Sequence, residues 1–377
     1  MSKKILIVGG VAGGASAAAR LRRLDENSEI VLFEKDDYIS FANCGLPYYI
    51  GETIKDRGRL LVQTPESMHS RFNIDVRIDS EVIDIDTNKK TVKVKSKNKG
   101  TYEESYDYLI LSPGAKAVSP KIEGINSNRI LTLRNIPDTD NIKSLVDRKD
   151  INSAVIIGGG YVGVEMAENL KQRGLKVTLV DTAPHILSSF DSGMVTAVEK
   201  GLEQNGVGLI LGDGVKSFRD IDNAVEITLN SDTKIIADLV VLSIGVTPNT
   251  NFIKDSGIKL GAKGHILVNN RLQTNIPNIY AVGDAIEVTD FVNKQNTAIA
   301  LAGPANKQGR IAADNIAGLD SEYKGTQGTA IIKVFDLTAA STGNNERTLK
   351  KYNIPYKVIY IHPASQHLII QNRRRCL

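Results

Sequence analysis

One arrangement occurs twice in this chain of 377 residues: an apolar strand, a glycine cluster, an alanine-rich helix and a second strand ending on an acid. The first copy runs from Lys4 to Glu34 and the second from Ala154 to Asp181. Strand, glycine turn and helix packed this tightly read as βαβ units, so the expected class is α/β with parallel sheets. Two copies so far apart point to two sites of similar construction rather than one domain repeated for bulk.

Gly9-Gly10-Val11-Ala12-Gly13-Gly14 follows a strand and opens a helix expected over 15–24. Glycines there let a backbone approach a pyrophosphate, and the helix start offers unpaired N–H groups and a positive dipole end. Val11 stands where the motif usually has its second glycine. Glu34, ending the next strand about 20 residues on, supplies a carboxylate for both ribose hydroxyls of a dinucleotide. The second copy carries the full spacing in Gly158, Gly160 and Gly163, and Asp181 closes a strand over 176–180. A carboxylate there favours a free 2′-hydroxyl, and no arginine follows in Thr182-Ala183-Pro184-His185. The preference is therefore NADH over NADPH.

Between the copies, 76–86 and 91–97 alternate apolar and polar residues around Thr87-Asn88-Lys89-Lys90, an antiparallel hairpin with one solvated, lysine-rich face. Buried strands are expected at 108–112, stopped by Pro113-Gly114, and at 239–244, stopped by Gly245. A helix is expected over 301–317, then strands of a third domain at 331–335 and 356–361. The last residues, from Gln371, carry no periodic pattern.

A net charge of +4 is too mild to argue for nucleic acid. The apolar run after Lys3-Lys4 is only about four residues, too short for a secretory leader, and no stretch approaches a membrane span. Two cysteines exclude a disulfide framework and fit a reducing cytoplasm. No histidines or cysteines sit at metal-ligand spacing. Cys44, in Ser40-Phe41-Ala42-Asn43-Cys44-Gly45-Leu46-Pro47-Tyr48-Tyr49, has no neighbouring thiol, and Cys376 reads as an exposed tail thiol. Cys44 can pass electrons only by pairing with a small-molecule thiol, a sulfenic oxygen or a sulfur chain. Pro47 suits a first helical turn, whose dipole would favour a thiolate at Cys44.

With Ser112-Pro113-Gly114-Ala115 and Thr274–Asp284 added, the chain resembles the FAD-dependent pyridine nucleotide–disulfide oxidoreductases. Ser40–Tyr49 and Leu301–Arg310 are most similar to the single-cysteine branch that reduces coenzyme A disulfide. The resemblance covers Lys3 to about Pro363. It implies two Rossmann-like FAD/NAD(P)-binding domains, the NAD(P)H domain at 121–245 inserted in an FAD domain at 1–120 and 246–322. An incomplete α+β interface domain follows at 323–377. It also implies FAD held by Gly9, Val11, Ala12, Gly13 and Gly14, by Glu34, Lys35, Asn43 and Val82, and by Ser112, Gly114 and Arg134. Gly283, Asp284 and Ala302 complete that set, and Gly245, at the end of the NAD(P)H domain, is implied to bind a cofactor. NADH, with NADPH as the other option, falls to Gly158, Gly160, Tyr161, Gly163 and Asp181. Coenzyme A, the thiol partner of Cys44, falls to Ser16, Arg20, Arg23, Ser40, Asn43, Arg71 and Asn306. Phe72 stands where one relative carries a lysine.

The implied activity passes electrons from NAD(P)H through FAD and the catalytic Cys44 to coenzyme A disulfide or a related disulfide or persulfide. An NADH oxidase or peroxidase using a Cys44 sulfenic acid is the first alternative, although Val11-Ala12-Gly13-Gly14 lacks the histidine those relatives place in that turn. A truncated, inactive flavin-binding protein is the second. The family forms homodimers; from Gln366 the residues depart from its pattern and read like a truncation or a shifted frame.

Overall fold

The computed structural model describes residues 2–362. Expectations for Cys376 and for the tail from Pro363 onward lie outside those residues. Among the described residues no helix is long and apolar enough to cross a membrane.

The chain forms two compact units. The first gathers the residues up to Ser119, Thr132–Ser144 and Gly245–Gly328. Its centre is β1 (Lys4–Val8), followed by α1 (Ala12–Leu24) and β2 (Glu29–Phe33). The sheet runs Ile279–Ala281, Tyr108–Leu111, β1, β2, Asp75–Arg77, every neighbour parallel. Strands buried on both faces need continuous apolar runs, and Ile5-Leu6-Ile7, Val31-Leu32-Phe33 and Leu109-Ile110-Leu111 are at most 1% exposed. Each such side chain removed from water contributes roughly 1.5–3 kcal/mol. Helix α1 packs against helix Ala302–Ile316, with Ser16 bonded to Asn306 and Arg20 to Asp314. The approach is so close that a Cβ on Gly309 would lie 2.3 Å from the Gly13 carbonyl oxygen.

The second unit gathers Pro120–Leu131, Leu145–Ile244 and the residues from Thr329. Its sheet runs Gly208–Leu211, Lys176–Asp181, Ser153–Ile157, Leu239–Leu242, Ile130–Thr132. A three-stranded antiparallel sheet, Val215–Ile221, Ala224–Leu229 and Lys234–Ala237, shares one core with it through Phe218, Ile227, Val240 and Leu242. Hairpin Ala330–Val334 with Leu337–Ser341 packs on helices Tyr161–Gln172 and Ser192–Gln204.

Three local expectations change. Val76 belongs to the parallel sheet, and the hairpin of Ser80–Asp86 with Thr91–Ser96 gains a third strand, Gly100–Ser105. Its lysines face acids across the strands: Lys93 opposes Asp84 and Glu103, and Lys95 opposes Glu81. Residues 356–361 form no strand, and among the described residues none pairs with them.

Candidate active site

In an open parallel sheet, ligands bind beyond the strand carboxyl ends where the strand order reverses. In the first unit that point lies between β1 and Tyr108–Leu111, which run out to the two sides of the sheet. A cavity of about 1050 Å³ opens there, at the upper end of the roughly 300–1,000 Å³ usual for small-molecule sites. Its wall is made where strands stop: Val8-Gly9 after β1, Phe33-Glu34 after β2, Ser112-Pro113-Gly114 and Gly283-Asp284.

Gly9 has φ +95°, and a Cβ there would fall 2.0 Å from the Ser112 carbonyl oxygen. The turn is therefore closed to any side chain. Val11, the departure from the motif, precedes the first helical residue and lines the cavity, so its side chain is tolerated where a backbone crossing would not tolerate one at Gly9. Gly14 lies outside the lining; its missing Cβ lets α1 sit against the Gly9 carbonyl oxygen, 1.9 Å from where that carbon would be.

Glu34 is buried and accepts three backbone N–H groups: Gly10 N at 2.8 Å, Lys35 N at 2.9 Å and Asp36 N at 3.2 Å. Burial pushes its carboxyl pKa up against the pull of those bonds. A carboxylate offers about four acceptor positions. Three backbone bonds leave room for about one ribose hydroxyl, fewer than the two expected from sequence. Asp284 sits in the short turn Gly283–Ala285 and pairs with the Arg134 guanidinium at 2.6 Å, while Arg134 Nε donates to the Ala115 carbonyl. That pair neutralises a carboxylate which would otherwise repel a phosphate. Lys35, Asn43, Val82, Gly114 and Ala302 also line the cavity; Gly245 does not.

Cys44 lines this same cavity and is exposed. It lies in the one-turn segment Asn43–Gly45, which runs into helix Leu46–Ile50 with Pro47 in its first turn. That helix has only five residues, so its dipole is far weaker than the sequence suggests. The turn is held from behind: Ser40 N donates to the Gly10 carbonyl, and Val62 N to the Ser40 carbonyl, both within 2.9 Å.

The residues expected for coenzyme A fall into two groups. On the α1 side, Ser16 donates to Asn306 at 3.0 Å, and Arg20 pairs with Asp314 at 2.7 Å, which commits part of its charge. Arg23 and Arg71 lie on either arm of a cation–π arrangement with Phe72, 5.2 and 5.3 Å from its ring. The ring therefore orders two exposed cations where a lysine would have repelled them. Ser40 and Asn43 belong to the cysteine turn.

Sequence reasoning missed the far wall. Asn135 donates to Asp36 at 3.1 Å, Asp138 accepts from Arg134 N at 2.8 Å, and both line the cavity. Nothing local marks them, since segment Thr132–Ser144 reaches this unit from a stretch flanked on both sides by the other. Gln308 was also missed: nearly buried, it accepts from Gly283 N at 2.8 Å and fixes the turn that carries Asp284.

The second unit repeats the construction. Gly158 has φ +109°, and Gly163 lets helix Tyr161–Gln172 rest against the Gly158 carbonyl. Asp181 accepts from Gly159 N and from Ala183 N, an arrangement that holds its carboxylate at the glycine turn. Gly160 is open to solvent, and Tyr161 donates to or accepts from Ser189 at 2.7 Å. Among the described residues no cluster of acids, histidines or cysteines is placed to hold a metal ion.

Both sites thus join a glycine turn, a helix start and an acid at the next strand end, which fits a dinucleotide in each. The profile of the pyridine nucleotide-disulphide oxidoreductases matches residues 3–309. The chain belongs to that family and is an oxidoreductase. Within it, the chain is 41% identical over 361 residues to the coenzyme A disulfide reductase of Staphylococcus aureus, covering 95% of this chain and 80% of that one. The crystal structure of reduced CoADR-RHD from Bacillus anthracis is similar over the whole chain and 68% of its own, with 50% identity and a TM-score of 0.97. An NAD-dependent persulfide reductase from A. fulgidus is similar over 99% of this chain and 70% of its own, at 32% identity and a TM-score of 0.95.

Proposed function

We propose that this chain is an NADH-dependent reductase of coenzyme A disulfide, working through FAD and Cys44 in a reducing cytoplasm. The observation that carries the reading is that Cys44 shares one cavity with Gly9, Glu34, Ser112 and Asp284. FAD, when bound there, would supply the two-electron relay between a nicotinamide and a disulfide. Gly9 and the start of α1 would hold its pyrophosphate, Glu34 a ribose hydroxyl, and Asp284, neutralised by Arg134, the stretch between.

The chain's own chemistry is thiol–disulfide exchange. Cys44, as thiolate, attacks one sulfur of coenzyme A disulfide; a Cys44–S–S–coenzyme A bond forms, the substrate S–S bond breaks, and one coenzyme A thiolate leaves and takes a proton. Two electrons from one NADH then break the mixed disulfide, returning Cys44 to thiolate and freeing the second coenzyme A thiol. The balance is NADH, one proton and one disulfide to NAD⁺ and two thiols. Arg23 and Arg71, ordered by Phe72, offer charge to the phosphates of the coenzyme A arm. Anaerobic NADH titration with coenzyme A disulfide tests this: two thiols should appear per NADH consumed, and NADH loss without thiol would overturn it. Persulfide reduction by the same cysteine is a second reading, supported by the likeness to the A. fulgidus enzyme.

Two predictions arise from the acids. No arginine follows Asp181 in Thr182-Ala183-Pro184-His185, and its carboxylate is held at the glycine turn. Asp181→Ala should lower kcat/KM for NADH about 10–100-fold and leave that for NADPH unchanged or raised, as read from steady-state rates with each nucleotide. Glu34, with its pKa raised by burial, is protonated in the folded state at a higher pH than an ordinary glutamate. The intrinsic stability that this shift contributes is present below the unfolded value and is lost as pH rises through the folded one. Flavin binding runs the other way, because a ribose hydroxyl needs the ionised carboxylate. FAD retention should weaken as pH falls through the raised value, and Glu34→Gln should bind FAD about tenfold more weakly with a flatter pH profile, measured by flavin fluorescence.

A further inference from the structure

The dinucleotide turn of the second unit leans on a loop that is itself under strain. Leu187 is a buried residue with φ +46°, a left-handed conformation that branched side chains rarely adopt. Its loop nevertheless meets the glycine turn at three points. Leu187 N donates to the Gly159 carbonyl at 2.7 Å, Ser189 Oγ meets the Tyr161 hydroxyl at 2.7 Å, and the Phe190 ring lies 6.4 Å from that of Tyr161. Strain of this kind persists only where surrounding contacts over-determine the backbone.

Those contacts come from much later in the sequence. Asn345 Nδ2 donates to the Ser188 carbonyl at 3.0 Å and to the Phe190 carbonyl at 3.4 Å, and the Arg347 guanidinium donates to the Ser188 carbonyl. Asp191 precedes helix Ser192–Gln204, where an aspartate ordinarily caps its own helix. Here its side chain makes no such bond and accepts instead from Glu346 N at 2.7 Å. Asn345 acts on two sides: its Oδ1 caps the short helix Glu346–Lys351 through Thr348 N at 3.0 Å, while its Nδ2 grips the loop.

We propose that Asn345, Arg347 and Asp191 are positioning residues for nucleotide binding: they brace the strained loop 186–190, which sets Tyr161 and the Gly159 carbonyl. The inference rests on the reading of the second unit as the NADH site. None of the three touches the glycine turn; they act through Leu187, Ser189 and Phe190. Loss of the brace loosens a pre-formed binding surface, so it weakens nucleotide affinity more than it slows turnover.

Asn345→Ser separates the two roles, because serine caps a helix about as well as asparagine yet has no amide to reach the loop. NAD⁺ affinity would be measured by calorimetric titration on the FAD-loaded protein, with KM and kcat for NADH alongside. Asn345→Ser and Arg347→Ala are each expected to raise Kd and KM about fivefold, one hydrogen bond's worth, with kcat within twofold and an unchanged Tm for the serine variant. Tyr161→Phe removes only the hydroxyl that meets Ser189. Combined with Asn345→Ser, it should be no worse than the weaker-binding single variant, since both cut the same chain of contacts. An unchanged Kd in Asn345→Ser, equal losses in KM and kcat, or a double variant whose losses multiply would each overturn the brace. Failure of the unsubstituted protein to bind NAD⁺ or NADH would remove the nucleotide reading and the brace with it, a result distinct from binding that ignores Asn345.

Discussion

Cys44→Ser should lose thiol release from coenzyme A disulfide by a factor on the order of 10³ or more, while the protein stays folded and keeps its flavin. The size follows from the chemistry: a serine hydroxyl is not ionised near neutral pH and forms no S–S bond, so neither half of the cycle has a substitute. The sparing of the fold follows from position. Cys44 is exposed in a short turn, and exposed substitutions usually stay within about 0.5 kcal/mol. The turn is held by Ser40, Gly10 and Val62 backbone bonds that the sulfur does not make. Anaerobic thiol counting after NADH addition is the measurement. An equal thiol yield from both proteins would show that Cys44 is not the exchanging group.

Gly9→Ala carries the second large effect, through structure rather than chemistry. A methyl group there would lie 2.0 Å from the Ser112 carbonyl oxygen, and φ is +95°. Neither can be relieved cheaply, because Ser112 N is bonded to Val8 O at 2.8 Å and the two strands are locked in parallel register. Left-handed backbone in a non-glycine residue alone costs about 1–3 kcal/mol, and the overlap with backbone adds to it. Against a typical net stability of about 5–15 kcal/mol, that is enough to lose the pocket. The expected protein is colourless, with a Tm lowered by roughly 10 °C or more. Gly100→Ala is the control: φ is +70° there, but no atom lies within 4 Å of the added carbon, so flavin content should match the unsubstituted chain. Normal flavin content in Gly9→Ala would contradict the account of the turn.

Much of this is legible in the sequence alone. The two glycine turns declare themselves because the backbone has no other residue for a φ near +100° against a neighbouring carbonyl, and Gly9 and Gly158 both show it. The acids at strand ends are legible for a similar reason, since Glu34 and Asp181 each close the turn by accepting its N–H groups. Buried parallel strands announce themselves as unbroken apolar runs. Strand Gly100–Ser105 was lost because its exposed edge alternates polar residues with few apolar ones. Residues 356–361 looked like a strand from composition, but β-propensity mostly records packing against neighbours, and among the described residues none is paired with them.

The site was half legible. Gly283-Asp284 and Arg134 are assigned through the family resemblance, not through spacing. Asn135 and Asp138, beside Arg134, are brought to the cavity by a chain excursion that no local pattern records. The loop at Leu187 is the clearest case of a feature sequence conceals: a strained leucine looks like any other leucine until its φ is known.

The central claim concerns the bond that Cys44 makes. NADH-reduced protein, mixed anaerobically with one equivalent of coenzyme A disulfide and then digested, should yield a Cys44 peptide carrying coenzyme A, with one coenzyme A thiol released per chain and the adduct lost on further NADH. A Cys44 peptide that stays unmodified while thiol is produced, or one that carries only an added oxygen with the disulfide left intact, would contradict it.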